Sequence, residues 1–226
     1  MNEIGCDLWQ GRSRNLNIWD VSMTIEPTMP VWKGRDTKRP ILTITRDFAK
    51  GQGAQETHLA FDLHTGTHID APLHFVQGGR TMDEIALSQL IRPVKVFDLT
   101  EVSEVINPEH LDGLPIAAGD FVLLKTRNSL EDILEEDFVF VGSEAAKRFV
   151  ELGVEGVGLD ALGVERDQAD HGTHHALLGA GIIIIEGLRL GEVAEGEYLM
   201  IAAPLKVAGV EAAPARVILT DLLLDG

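Results

Sequence analysis

Apolar positions along the chain come in short runs rich in Val and Ile, separated by Gly, Pro, Asn and Asp. Runs of this length and composition predict strands over residues 18–24, 41–46, 57–64, 94–98, 121–126, 154–159, 182–186, 198–202 and 215–219. Helical spacing is confined to 83–90, 108–111, 144–152 and 171–179. Ser143 is placed to cap the third of these and Gly153 to stop it, while Asn107-Pro108 reads as another helix start. The interval 119–160 runs strand, loop, helix, strand, a crossover that makes part of the sheet parallel. With no low-complexity linker and no repeat, the pattern predicts one mixed α/β (α+β) domain spanning residues 1–226.

Seven of the eight histidines interrupt this pattern in two windows. The first runs from His58 through Asp62-Leu63-His64-Thr65-Gly66-Thr67-His68-Ile69-Asp70-Ala71-Pro72-Leu73-His74. Gly66, Pro72 and the β-branched Thr65, Thr67 and Ile69 disfavour a helix there. In an extended chain alternate residues share a face, so His64, His68, Asp70 and His74 are expected on one side of a strand that runs into a loop near Pro72, with Gly66 leaving room between them. One such histidine suits an exposed edge strand; four ligand-type residues in register point to chemistry. The second window holds His171, His174 and His175, then the aliphatic run 182–185 ending at Glu186. A carboxylate leaving a buried strand needs a partner, and a metal is one. His174 and His175 are adjacent and point in different directions, so one of them is expected to be a ligand. His171 and His175, four apart, read as a surface pair on a helix. Imidazoles with carboxylates are the ligand set of zinc, manganese and their neighbours. One divalent metal site built from two distant segments, serving hydrolysis, is the leading reading.

Composition narrows the alternatives. Lys plus Arg number 19 against 36 Asp plus Glu, a formal net charge of −17, which argues against nucleic acid and anionic membrane surfaces as partners. No apolar run reaches the roughly 18 to 20 residues of a membrane span, and the first residues lack the pattern of a signal peptide. A cytoplasmic location is expected. The single cysteine, Cys6, rules out an internal disulfide and a cysteine-based zinc site. The acidic positions 131–137 read as a solvated loop and Asp160 as a turn or capping residue.

The run His64-Thr65-Gly66-Thr67-His68-Ile69-Asp70-Ala71-Pro72-Leu73-His74 resembles the H-x-G-T-H-x-D-x-P-x-H signature of the cyclase family, which includes bacterial kynurenine formamidase and isatin hydrolase. Asp20-Val21-Ser22, Pro30-Val31-Trp32 and the His174-to-Glu186 spacing extend the resemblance over most of the chain. The resemblance implies a swivelling β/β/α domain, homodimers or homotetramers, and one or two zinc or manganese ions. It also implies His64, His68, Asp70, His174 and Glu186 as metal ligands, and His74 as the acid/base. The family's Trp-Pro-Gly-Asp segment, close to the substrate, is here Trp32-Lys33-Gly34-Arg35-Asp36. Trp32 is therefore a candidate to stack on a planar substrate, core or interface packing being its other reading.

The expected reaction is hydrolysis of an amide carbon–nitrogen bond, of the arylformamidase type that releases formate from N-formylkynurenine. Alternatives are a cyclic amide such as isatin, a related imide or lactone, or a non-catalytic protein stabilised by its metal. His74 separates enzyme from binding protein, because it is superfluous once the other five positions fill a structural site. Thr65 and Thr67 are expected to orient the ligands.

Overall fold

A ring of seven strands organises the chain. The computed structural model describes residues 16–131, 134, 137–166 and 168–221; Cys6, Trp9 and acidic positions 132, 135 and 136 lie outside them. In chain order the strands are β1 (Ile18–Asp20), β2 (Ile41–Arg46), β3 (Glu56–Ala60), β4 (His68–Asp70), β5 (Ile91–Asp98), β6 (Val105–Ile106), β7 (Phe121–Lys125), β8 (Phe140–Val141), β9 (Gly156–Leu159), β10 (Ile183–Glu186), β11 (Gly196–Pro204) and β12 (Ala212–Thr220). The helices are α1 (Asn128–Glu131), α2 (Ser143–Leu152) and α3 (Gly172–Gly179). Strands β12, β11, β5, β7, β9, β10 and β4 pair in that order, and β4 returns to β12, closing the barrel. β5, β7, β9 and β10 are mutually parallel, as the crossover pattern required, and the remaining pairs of the barrel are antiparallel. The architecture is mixed α/β with few helices.

Alternation along the strands separates two cores. Phe121 and Leu123 of β7 and Ile183 and Ile185 of β10 belong to the barrel interior. Val122, Leu124 and Ile184 belong to the outer layer, against Ala145, Phe149, Leu177 and Leu178 of α2 and α3. Strands buried on both faces read as unbroken apolar runs, which is why 121–124 and 182–185 show no alternation. In β9 the inward positions are glycines. A Cβ on Gly156 would lie 2.1 Å from the Phe121 ring, and one on Gly158 2.5 Å from Leu123.

Several boundaries differ from those the sequence predicts. The strand at 18–24 stops at Asp20 because β12 shares one edge between two partners: β1 takes Ile218–Thr220 and β4 takes Ala212–Pro214. The helix at 83–90 is two 3-10 turns, Met82–Glu84 and Leu87–Gln89, broken at extended Ile85 and Ala86. Only Met82, Ile85 and Leu90 need to reach the barrel interior there, and the broken path buries all three. The start at Pro108 yields one 3-10 turn, Pro108–His110. Gly142, not Ser143, precedes α2, while Gly153 at φ +72° ends it as expected. Asp160 is buried and accepts from Thr126 N at 2.8 Å, Thr126 Oγ1 at 2.7 Å and Ser129 N at 3.3 Å, fastening the end of β9 to the start of α1. Hairpin β2–β3 is exposed along its whole length, with Ile41, Leu42, Ile44, Phe48 and Leu59 facing solvent. Among the described residues no helix is long and apolar enough to cross a membrane.

The glycine stripe yields a test. Gly156→Ala forces a methyl group into the Phe121 ring, and overpacking of this kind costs about 1–3 kcal/mol. A denaturant midpoint lowered accordingly, with unchanged m-value, is expected; an unshifted midpoint would mean that the barrel interior is loosely packed.

Candidate metal centre

The site lies on the outer face of the barrel, where β4 meets β10. In β4, Ile69 faces the interior core, so His68 and Asp70 face outward. In β10 the same alternation sends Ile185 inward and Glu186 outward. Antiparallel register sets Glu186 opposite His68 and Ile184 opposite Asp70. Cross-strand neighbours on one face lie about 4.5–5.5 Å apart at Cβ, so pairing alone brings these ligand-type side chains together.

The other two members of the first window arrive differently from the extended chain predicted. Thr65 N bonds to Asp62 O at 3.1 Å, the Asp62 carboxylate accepts from His64 N at 2.9 Å, and Gly66 adopts φ +63°. His64 is thus delivered by a turn. Pro72 opens a 3-10 turn, Pro72–His74, and His74 N bonds to Ala71 O at 3.0 Å. Only His68 and Asp70 owe their common side to strand alternation. Gly66 does not make space for an ion either: a Cβ there would meet Met29 Cε at 3.1 Å, and one on Gly187 would lie 2.5 Å from Gly66 O. Its service is a left-handed turn and close backbone approach. Thr67 holds the same junction, donating to Gly187 O at 2.6 Å and accepting from Met23 N at 2.8 Å.

Asp70 is the centre of the cluster. Its Oδ1 stands 3.1 Å from His64 Nδ1 and 3.6 Å from His68 Nε2, and its Oδ2 3.8 Å from His174 Nε2. Glu186 places Oε2 3.2 Å from His68 Nε2 and Oε1 3.4 Å from His174 Nε2. Glu186 Oε1 also accepts from Val164 N at 2.5 Å. Both Asp70 oxygens and His68 Nε2 are buried and make no well-formed hydrogen bond among the described residues. Buried carboxylate oxygens rarely go without partners. Donor atoms of His68, Asp70 and Glu186, and separately those of His64, Asp70 and His74, lie within 4.8 Å of one another. This donor set suits a divalent cation.

Both buried histidines are oriented from behind. His68 Nδ1 donates to Gly66 O at 2.8 Å, and His174 Nδ1 to Glu165 Oε1 at 2.7 Å. Each Nε2 is left to face the carboxylates, the arrangement found where a second hydrogen bond fixes a metal-binding imidazole. Glu165, which no local pattern in the sequence marks, is 1% exposed and also accepts from His171 Nδ1 at 2.9 Å and Thr173 N at 3.0 Å. His171 caps α3 in a left-handed conformation, φ +47°. His175 is exposed and lies outside the cluster, touching Phe75 edge-on, whereas Phe75 stacks on His174 at 4.5 Å.

Electrostatics follow from burial. Desolvation opposes charge on His68 and His174, but Glu186 and Asp70, with Glu165 behind His174, outweigh it and raise them to about 9 and about 10. Desolvation likewise works against ionised Glu186 and Asp70, yet the neighbouring imidazoles hold both carboxyls below their usual range. Burial lowers His74 instead, aided by His64 and His174 and opposed by Asp70 and Glu186. A cavity of about 230 Å³ opens over the cluster, walled by Trp32, Phe75, Leu162 and Arg35 and floored by His74 and Glu186.

A protein-family model described as "Putative cyclase" matches residues 19–166. The chain is 35% identical over 205 residues to a kynurenine formamidase of Salinibacter ruber, covering 89% of this chain and 96% of that one. It is 30% identical to a kynurenine formamidase of Sphingopyxis alaskensis, covering 91% and 98%. Among solved structures, a predicted metal-dependent hydrolase from Bacillus stearothermophilus is 48% identical, with a TM-score of 0.84 over 92% of this chain and 99% of that one. Isatin hydrolase A from Labrenzia aggregata shares the fold, with a TM-score of 0.78 at 24% identity over 91% and 93%. The chain belongs to the cyclase family, and these relatives make it a hydrolase.

Two outcomes are expected here. Because His68 and His174 hold protons well above pH 7 in the metal-free protein, a divalent cation must displace both, and its affinity rises with pH until those groups deprotonate. Calorimetric titration at pH 7 in buffers of different ionisation enthalpy measures this; a heat independent of buffer would contradict it. Glu165→Gln should weaken cation binding roughly 10- to 100-fold, since the group orienting His174 loses its charge; unchanged affinity would show that Glu165 only braces α3.

Proposed function

We propose that the protein is a metal-dependent amidohydrolase of the arylformamidase type, cleaving the carbon–nitrogen bond of an N-formylkynurenine-like aryl formamide. The observation that carries this reading is Asp70: a fully buried carboxylate whose oxygens make no well-formed hydrogen bond among the described residues, ringed by His64, His68, His174 and Glu186. The kynurenine formamidases among its relatives support the substrate class.

We assign His64, His68, Asp70, His174 and Glu186 to the cation, zinc or manganese. Asp70 turns Oδ1 toward His64 and His68 and Oδ2 toward His174, so one carboxylate can serve one ion or two. When bound, such an ion polarises a carbonyl and lowers the pKa of water toward about 7. The rest falls to the chain. His74 carries the proton: its ring lies 4.3 Å from His64 and 5.6 Å from His174, at the cavity floor. Kept below the ordinary histidine range, it is neutral near pH 7, able to take a proton and return it to the leaving nitrogen. Trp32, lying over Gly163, where a Cβ would come within 2.5 Å of the indole, offers a flat wall to a planar substrate. We take the enzyme to be one domain, cytoplasmic, and a homo-oligomer. The apolar side chains exposed on β2–β3 support self-association.

His74→Ala tests the division of labour. Bound metal is expected to stay near wild type while formamide hydrolysis falls by roughly 10² or more. Loss of metal together with activity would make His74 a ligand and sink its assignment as the proton carrier.

A further inference from the structure

We infer that Arg35 receives an anionic group, a carboxylate, on the substrate; this rests on the amidohydrolase reading and narrows the substrate class. The chain carries a net charge of −17, yet its cleft is edged by cations. Lys38 pairs with Asp62 at 3.2 Å. Arg166 bonds to Phe138 O at 2.7 Å and Glu104 at 3.2 Å and lies over the Phe138 and Phe140 rings. Arg35 differs: among the described residues its guanidinium makes no hydrogen bond, ion pair or ring contact, although it lines the same cavity as His74 and Glu186.

The backbone that carries it is built and not merely loose, although the side chain itself is exposed. Lys33 and Gly34 both adopt positive φ, +52° and +60°, so the backbone reverses just before Arg35. Arg35 N bonds to Trp32 O at 3.2 Å, and Arg35 O accepts from Lys38 N at 2.9 Å. Arg39 then clamps the segment through Asp36 at 2.9 Å. Two consecutive turns thus hold Arg35 between Trp32 and Lys38, both of which also line the cavity. A non-glycine residue in the left-handed region is strained, and such strain collects at functional segments. A guanidinium matches a carboxylate with two parallel hydrogen bonds. The aromatic wall and the cation lie on one short segment, so an aryl amide seated on Trp32 brings a ring carboxylate within the reach of Arg35.

The test compares formylaminobenzoates with their formylaminobenzamide isosteres, which differ in charge but scarcely in shape, as substrates of the metal-loaded enzyme. Wild type should favour the carboxylates in kcat/KM by tenfold or more, chiefly through KM. In Arg35→Gln that ratio should fall at least tenfold, and Arg35→Lys should restore part of it. Added salt should raise KM for the carboxylates of wild type and leave the amides alone. A ratio unchanged in Arg35→Gln overturns the inference while the hydrolase reading stands. If wild type hydrolyses neither series, calorimetric binding of aminobenzoate decides. Binding at least tenfold weaker in Arg35→Gln keeps the anion site and overturns the formamide reading; equal binding overturns the anion site.

Discussion

Two carboxylates, Asp70 and Glu186, stand on neighbouring strands on the same face of the barrel, and both are shut off from water. Like charges about 4 Å apart repel by about 4 kcal/mol at the effective dielectric of a protein surface, and burial adds a desolvation cost for each. Positive charge between them offsets both costs. In the metal-free protein the protons on His68 and His174 provide it; a divalent cation does so more compactly. The hydrogen bonds from behind, Gly66 O to His68 and Glu165 to His174, make the arrangement directional by leaving each Nε2 turned inward.

The same strand that carries the charge closes the fold. β4 is three residues long, yet it pairs with β10 on one edge and β12 on the other. Ile69 fills the interior while His68 and Asp70 occupy the outer face, so a register slip of one residue would reverse both at once. Thr67 and Gly187 fix that register through a short hydrogen bond and a backbone approach that no side chain would permit. Stability and chemistry thus meet in one short segment.

The barrel interior holds none of the candidate ligands. Side chains fill it, and glycines in β9 yield to Phe121 and Leu123. The site occupies the seam between the barrel and α3, beneath the loop that carries Trp32 and Arg35. A seam is open on one side, which suits a small substrate, and dry on the other, which strengthens electrostatics there.

The strands at 121–125 and 183–186 were legible because a two-sided burial leaves an unbroken apolar run, and the spacing of His68, Asp70 and Glu186 marked them as candidates. The end of regular pairing near Pro72 was legible, because proline cannot donate to a ladder, whereas the positive φ at Gly66 and the 3-10 turn that Pro72 opens were not: alternation predicts an extended chain from His64 to that point, and only His68–Asp70 form a strand. Asp160 was legible as a capping residue. Glu165 was not, since its partners lie six, eight and nine residues away on an element whose approach depends on packing. By itself, the sequence determined which residue types carry the chemistry and which stretches are core, because alternation and ligand spacing are local properties. Only the tertiary structure decided that, among the described residues, Asp70 makes no well-formed hydrogen bond, that His174 and not His175 turns inward, and that the Arg35 guanidinium is unpaired at the cleft. Those outcomes depend on pairing and packing between segments far apart in the chain.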